Sequence, residues 1–151
     1  MKMNTRLKEI QERIVSTKLD GFISFNPSNI FYMTGYRADN SFVFVSSKKA
    51  VLVVPKLLYP SVKESVKDPQ WQIIRQPADA ESCKNFLKQC KCRRIGLEED
   101  VSIKKSRHIS GIKKYGNLIE DIRIIKDKSE ISKIKIACKI SLSAIEFAKR
   151  K

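Results

Sequence analysis

The sequence predicts an α/β domain, a mixed sheet flanked by helices, and three observations carry that prediction. Helical and extended apolar patterns alternate along the 151 residues. Two runs, Phe42-Val43-Phe44-Val45 and Val51-Leu52-Val53-Val54, are solidly apolar, as suits strands covered on both faces. Only Ser47-Lys48-Lys49 separates the strands that hold them, so that pair is antiparallel and the sheet must be mixed.

The elements follow in order. Leu7, Ile10, Ile14 and Val15 recur at helical spacing and place a first helix over Asn4–Lys18. Gly21–Phe25 reads as a short strand. Asn26 can cap the next helix, Pro27 suits its first turn, and Gly35 suits the left-handed position beyond its end. Ser41–Ser46 and Ala50–Val54 are the antiparallel strands. A helical signal over Leu58–Lys67 tolerates Pro60 only in the first turn. Trp71–Arg75 is extended. Asp79 can cap a helix whose Cys83, Phe86, Leu87 and Cys90 form one stripe, and Arg94–Leu97 is the next strand. Ser102–Lys114 reads as a weaker helix, and Leu118–Ile125 as a final extended segment. Asp127, with Glu130 three residues later, opens the last helix as a capping box does. Its apolar face runs Ile131, Ile134, Cys138, Leu142 and Ile145. No Gly, Pro or C-cap interrupts it before Lys151, which implies that something downstream is missing.

Composition narrows the function classes. A mass of 17.4 kDa fits one domain. Hydrophobic residues at 42% and aromatics at 8% exclude a disordered or collagenous chain. The longest apolar run, Ala50–Val54, falls far short of the ~20 residues of a membrane span, and the N-terminus has no signal-peptide core. A soluble, cytoplasmic domain is expected. Lys and Arg total 31 against 16 Asp and Glu, a net charge of +15. The excess is spread along the chain: 12 basic and 6 acidic residues in 1–75, 19 and 10 in 76–151. Such a field attracts polyanions non-specifically. Beyond residue 76 the aromatics are only Phe86, Tyr115 and Phe147, too few to interleave with the cations as a stacking platform for single strands, so specific nucleic-acid recognition is not expected.

Catalytic signals are sparse. Cys83, Cys90, Cys92 and Cys138 have no zinc-site spacing and read as small buried hydrophobes. His108 stands alone on a basic segment, as a surface or boundary residue does. Glu98-Glu99-Asp100 could grip a hard cation from one side, but a solvated loop ahead of a helix is the expected reading. The five glycines make no phosphate loop. One stretch stands out, Asn29-Ile30-Phe31-Tyr32-Met33-Thr34-Gly35-Tyr36 followed by Arg37-Ala38-Asp39-Asn40. It reads either as a capped helix with a surface loop behind it, or as a loop on rigid supports offering the Tyr36 ring, the Arg37 guanidinium and the Asp39 carboxylate to a ligand.

That stretch resembles the N-x-x-Y-[LM]-[TS]-G-[FY] signature of the N-terminal domain in the aminopeptidase P, prolidase and creatinase family. Asp20-Gly21-Phe22-Ile23 resembles the family's first strand, and Arg94-Ile95-Gly96-Leu97-Glu98 its R-I-G-x-E strand. Ile122-Arg123-Ile124-Ile125-Lys126, with Glu130-Ile131 following, resembles its L-R-x-x-K-x-x-x-E-[IL] junction. The four pieces stand in the family's order and span nearly the whole chain.

The resemblance implies a ribonuclease H-like creatinase/prolidase N-terminal domain over residues 1–126. Residues 127–151 would then start the first helix of a missing C-terminal pita-bread catalytic domain. It implies two divalent metal ions (Mn, Co or Zn) in that missing domain, held there by two Asp, one His and two Glu, with no metal ligand and no catalytic residue in this chain. The chain would be the non-catalytic part of a metal-dependent Xaa-Pro peptidase (prolidase or aminopeptidase P) acting on short proline-containing peptides. It would support a homodimer and lend the Tyr36–Asn40 loop to the partner's active site, with Tyr36, Arg37 and Asp39 as substrate-binding residues. Two alternatives stay open: a catalytically inactive protein- or polyanion-binding module of the same fold, and a creatinase-like amidinohydrolase parent.

Overall fold

Side-chain caps begin three of the helices in this computed structural model, which describes residues 3–107, 109 and 111–150. Helix α1 (Met3–Ser16) buries Leu7, Ile10 and Ile14 and leaves Val15 exposed. After β1 (Gly21–Ser24), Asn26 accepts the Ser28 N–H at the start of α2 (Pro27–Thr34). Gly35 closes that helix at φ 75°, donating its N–H to the Phe31 carbonyl. Strands β2 (Phe42–Val45) and β3 (Ala50–Val54) form the expected hairpin. Helix α3 (Tyr59–Ser65) carries Pro60 in its first turn, β4 is Trp71–Arg75, and the Asp79 carboxylate caps α4 (Ala80–Gln89) by accepting the Ser82 N–H.

The next elements depart from the sequence reading. Strand β5 (Ile95–Leu97) is followed by a short helix, α5 (Ile103–Ser106), and a strand, β6 (Ile112–Tyr115), where one helix over Ser102–Lys114 was expected. Gly111 at φ 81° stands between them, and the β6 backbone gains a ladder with β5 that a lone amphipathic helix would lack. Residues 118–125, expected to be extended, form α6 (Leu118–Ile124). Glu120 and Asp121 lie in its first turn, where negative charge is favourable, and Ile119 and Ile122 are buried three apart on one face. His108 lies outside the described residues. The last helix, α7 (Lys128–Lys149), opens with the capping box: Asp127 accepts from the Ser129 and Glu130 N–H groups while Glu130 accepts from the Asp127 N–H.

The sheet order is β4-β3-β2-β1-β5-β6, with β2 antiparallel to both neighbours and the remaining pairs parallel. The mixed sheet is thus as expected. Strand alternation divides its side chains between two cores. Phe22, Val43, Val45, Leu52, Val54 and Trp71 face α1, α2, α3 and α6. Ile23, Phe42, Phe44, Val51 and Val53 face α4, where the Phe44 and Phe86 rings meet at 5.3 Å between centroids. Two covered faces explain the unbroken apolar runs. Gly21 is needed for this packing, because a Cβ there would stand 2.3 Å from the Phe44 ring.

Helix α7 belongs to neither core. None of its residues is buried, and Ile131, Ile134, Cys138, Leu142 and Ile145 are all exposed. Of the cysteines, only Cys83 is fully buried, so the reading of all four as core residues holds for it and fails for Cys138. No described helix is long and apolar enough to cross a membrane.

Candidate functional site

Strands β1, β5 and β6 all end on one side of the sheet, the side where open α/β sheets place their ligands and where the loop before β2 also lies. Two features occupy this end. The first is a buried polar cluster that joins residues far apart in the chain. Glu98, directly after β5, is 1% exposed. Its carboxylate accepts the Phe25 N–H at 2.7 Å, the Ser24 hydroxyl, and the Asn29 side-chain amide at 3.3 Å. Asn29, also buried, donates to Glu120 and accepts from the Arg123 guanidinium at 2.7 Å. Burial pushes the Glu98 carboxyl above the usual carboxylate range, and the three donors oppose that rise without cancelling it.

This geometry corrects the expectation that Glu98-Glu99-Asp100 is a solvated loop. Glu99 and Asp100 are exposed, whereas Glu98 turns inward because three donors wait there and an unpaired carboxylate could not stay buried. It also explains the spacing of the sequence signatures. Asn29 opens the first signature described, Glu98 closes the R-I-G-x-E strand and Arg123 belongs to the junction, so three of the four pieces meet in one network that ties α2, β1, β5 and α6 together.

Glu98, Asp100 and Glu120 bring carboxylate oxygens within 4.8 Å of one another. Each acid already accepts from a protein donor, Asp100 from the Asn26 amide at 2.8 Å. Glu98 commits both of its oxygens. The three acids thus belong to one hydrogen-bonded network, in which the buried Oε2 of Glu120 has no partner among the described residues.

The second feature is the loop Tyr36–Asn40. Its backbone is fixed by Thr34, whose hydroxyl accepts the Tyr36 N–H, by the buried Ala38, and by Asn40 in the left-handed region at φ 48°. Tyr36 is half-buried against the core, and its hydroxyl is bonded to that of Ser61 at 2.9 Å, so it anchors the loop. Arg37 is exposed and reaches a cavity of ≈ 370 Å³ shared with Arg6, Phe31, Tyr32, Arg123 and Glu130. Asp39 is exposed and does not line that cavity. Of the three sequence-derived site residues, the fold thus gives Arg37 a concave setting, Tyr36 a structural bond, and Asp39 open solvent.

Arg6 is the residue that the sequence did not single out. Its guanidinium lies 4.2 Å from the centroid of the Tyr32 ring and bonds Asp127 at 2.8 Å and Glu130 at 3.1 Å. It fastens the start of α7 to α1 and α2. The pairing joins residues 121 apart in the chain, beyond the reach of any local pattern.

Known proteins share this architecture. The Xaa-Pro dipeptidase of Pyrococcus furiosus is 28% identical over 153 aligned residues, covering 97% of this chain and 42% of that enzyme. The chain therefore spans about two-fifths of the length of such relatives. The solved Xaa-Pro dipeptidase from Bacillus anthracis superposes with a TM-score of 0.85 at 18% identity, over 96% of this chain and 42% of that one. A solved Xaa-Pro aminopeptidase chain from Streptococcus thermophilus gives a TM-score of 0.69 at 22% identity, over 80% of this chain and 98% of that one. Both structures show the likeness of fold. The family model of the creatinase/prolidase N-terminal domain matches residues 6–125, and with four-fifths of its length so matched this chain belongs to that family.

Proposed function

We propose that this chain is the non-catalytic N-terminal part of a metal-dependent Xaa-Pro peptidase, a prolidase or aminopeptidase P. The observation that carries the reading is coverage: nearly the whole chain aligns with only 42% of a Xaa-Pro dipeptidase. In this reading residues 1–126 form the accessory domain and α7 leads into the catalytic domain. The exposed Ile131, Ile134, Leu142 and Ile145 of α7 support it, because an apolar helical stripe without a partner in its own domain suits burial against another. The two divalent metals (Mn, Co or Zn) and their ligands would belong to that further domain.

The accessory role is to limit access to short proline-containing peptides and to support a homodimer in the cytoplasm. Arg37 is the residue best suited to the peptide, since its guanidinium can pair with a carboxylate at the mouth of the ≈ 370 Å³ cavity. Tyr36 holds the loop, and Asp39 is the acid that would face a peptide amine. The test joins this chain through α7 to the C-terminal part of the Pyrococcus furiosus relative and follows proline release. Activity is expected, with a raised KM and little change in kcat for Arg37→Ala. An active fusion whose KM ignores Arg37→Ala would remove the substrate role. A folded, metal-loaded fusion without activity would count against the peptidase reading.

A further inference from the structure

At the end of β2 opposite the Tyr36–Asn40 loop, a groove of ≈ 570 Å³ opens between the β2–β3 turn and the segment joining α4 to β5. Lys48, Lys49, Lys91 and Arg93 line it, and all four are exposed. The described ion pairs draw their cations from Arg6, Lys8, Arg13 and Lys84, so none of the four is neutralised by a pair. Lys18 and Arg94 flank the same end and are likewise exposed and outside those pairs. The one acid lining the groove, Asp20, accepts the backbone N–H groups of Arg93 at 2.7 Å and Arg94 at 2.9 Å. Those bonds hold its carboxyl below the usual range, and the nearby Arg94 and Arg93 charges lower it further, so one carboxylate offsets only part of the basic charge around the groove. Lys91 follows the end of α4 and Lys49 lies close enough for its charge to act on Cys90, the C-cap of that helix, so both complement the helix dipole, yet four cations gathered there exceed what one helix end calls for. Unpaired like charges gathered in a concavity repel one another, a cost that an anion removes.

We propose that this groove binds the phosphate backbone of a nucleic acid without reading its sequence. The chemistry of the rim favours phosphate over the alternatives. A protein partner needs a buried aromatic or apolar anchor, and no groove residue is an exposed large hydrophobe. A membrane surface calls for an apolar face to insert, and the site is concave and cationic. Cations without anchors suit the counterion-release term that dominates non-specific nucleic-acid affinity. The proposal stands apart from the peptidase reading and neither needs nor excludes it.

The test is fluorescence anisotropy of a labelled oligo(dT) of about 16 nucleotides titrated with the full chain between about 50 and 200 mM salt. Four phosphate contacts predict a slope of log Kobs against log salt of about −2.8, a weakening of about 50-fold across that range. Combined Lys48→Gln, Lys49→Gln, Lys91→Gln and Arg93→Gln should abolish most of the slope. The matched variant Lys133→Gln, Lys135→Gln, Lys139→Gln and Lys149→Gln on α7 removes the same charge and should keep it. Each groove substitution made singly should lower the slope by about 0.7, which keeps the test decisive if the combined variant folds poorly. Equal losses in the groove and α7 variants would overturn the proposal, since the net charge alone would then be responsible. Equal affinity for poly-glutamate, or for vesicles of anionic lipid, would overturn it as well.

Discussion

Replacing Asn29 with Ala should destabilise the domain by about 3 kcal/mol, because the change removes three side-chain hydrogen bonds at about 1 kcal/mol each. Asn29 is fully buried, donates to Glu98 and Glu120, and accepts from Arg123. The three neighbours lose unequally. Glu98 keeps Ser24 and the Phe25 N–H. Arg123 is half-buried at the edge of an open cavity and can turn to water. Glu120 suffers most, because its second carboxylate oxygen is shielded from solvent and has no hydrogen-bond partner among the described residues. Against a domain stability of roughly 5–15 kcal/mol, that loss moves the urea midpoint far without changing the m-value. The single tryptophan, Trp71, is buried against the α1 side of the sheet and reports the transition by its fluorescence. Asn29→Asp should be worse at neutral pH and partly recover in acid, since it adds a third carboxyl to Glu98 and Glu120. A loss below about 1 kcal/mol for Asn29→Ala would show that water already serves these groups, and the argument for a tightly closed network would fail.

Glu98 carries a pH dependence of definite sign. Its folded carboxyl titrates above its unfolded value, so the stability it contributes is complete below about pH 4.3 and is lost as pH rises through the folded value. The difference in unfolding free energy between the parent chain and Glu98→Gln should accordingly shrink as pH rises from about 4 towards 7. A difference that stays constant or grows would mean that Glu98 is ionised and content in the fold. The thiols should separate by rate at pH 8. Cys138, exposed on α7, should react with a disulfide reagent at once. Cys92, with its thiol pushed up to about 11, should lag, and Cys83, buried and pushed up to about 12, should react only as the domain unfolds. Cys138→Ser should abolish the fast phase, and an unchanged fast phase would contradict the exposure of α7.

The legible parts of the fold were those fixed within a few residues. Asn26, Gly35, Asp79 and the Asp127–Glu130 box each work through neighbours one to four positions away, and each does in the fold what its residue type allows. The unbroken apolar runs likewise announced a sheet covered on both faces. Residues 102–125 were harder, because Ile112–Tyr115 becomes a strand only by pairing with β5, and Leu118–Ile124 becomes a helix by burying Ile119 and Ile122 under α1. Glu98 looked like one of three surface acids because its reasons for burial, Ser24 and Asn29, lie 74 and 69 residues away. Arg6 escaped notice for the same reason. The family signatures did point to Asn29, Glu98 and Arg123, but only the fold supplies the physical cause, a single network shared among three motifs.

The most direct test of the central claim is to incubate the chain, as it stands, with a Xaa-Pro dipeptide and each of Mn, Co and Zn in turn, and to measure free proline. With the metal ligands and the chemistry in a further domain, as proposed, no proline is expected above the metal-only background. Proline release that scales with the amount of chain and stops on chelation would place a catalytic centre within these 151 residues and contradict that claim.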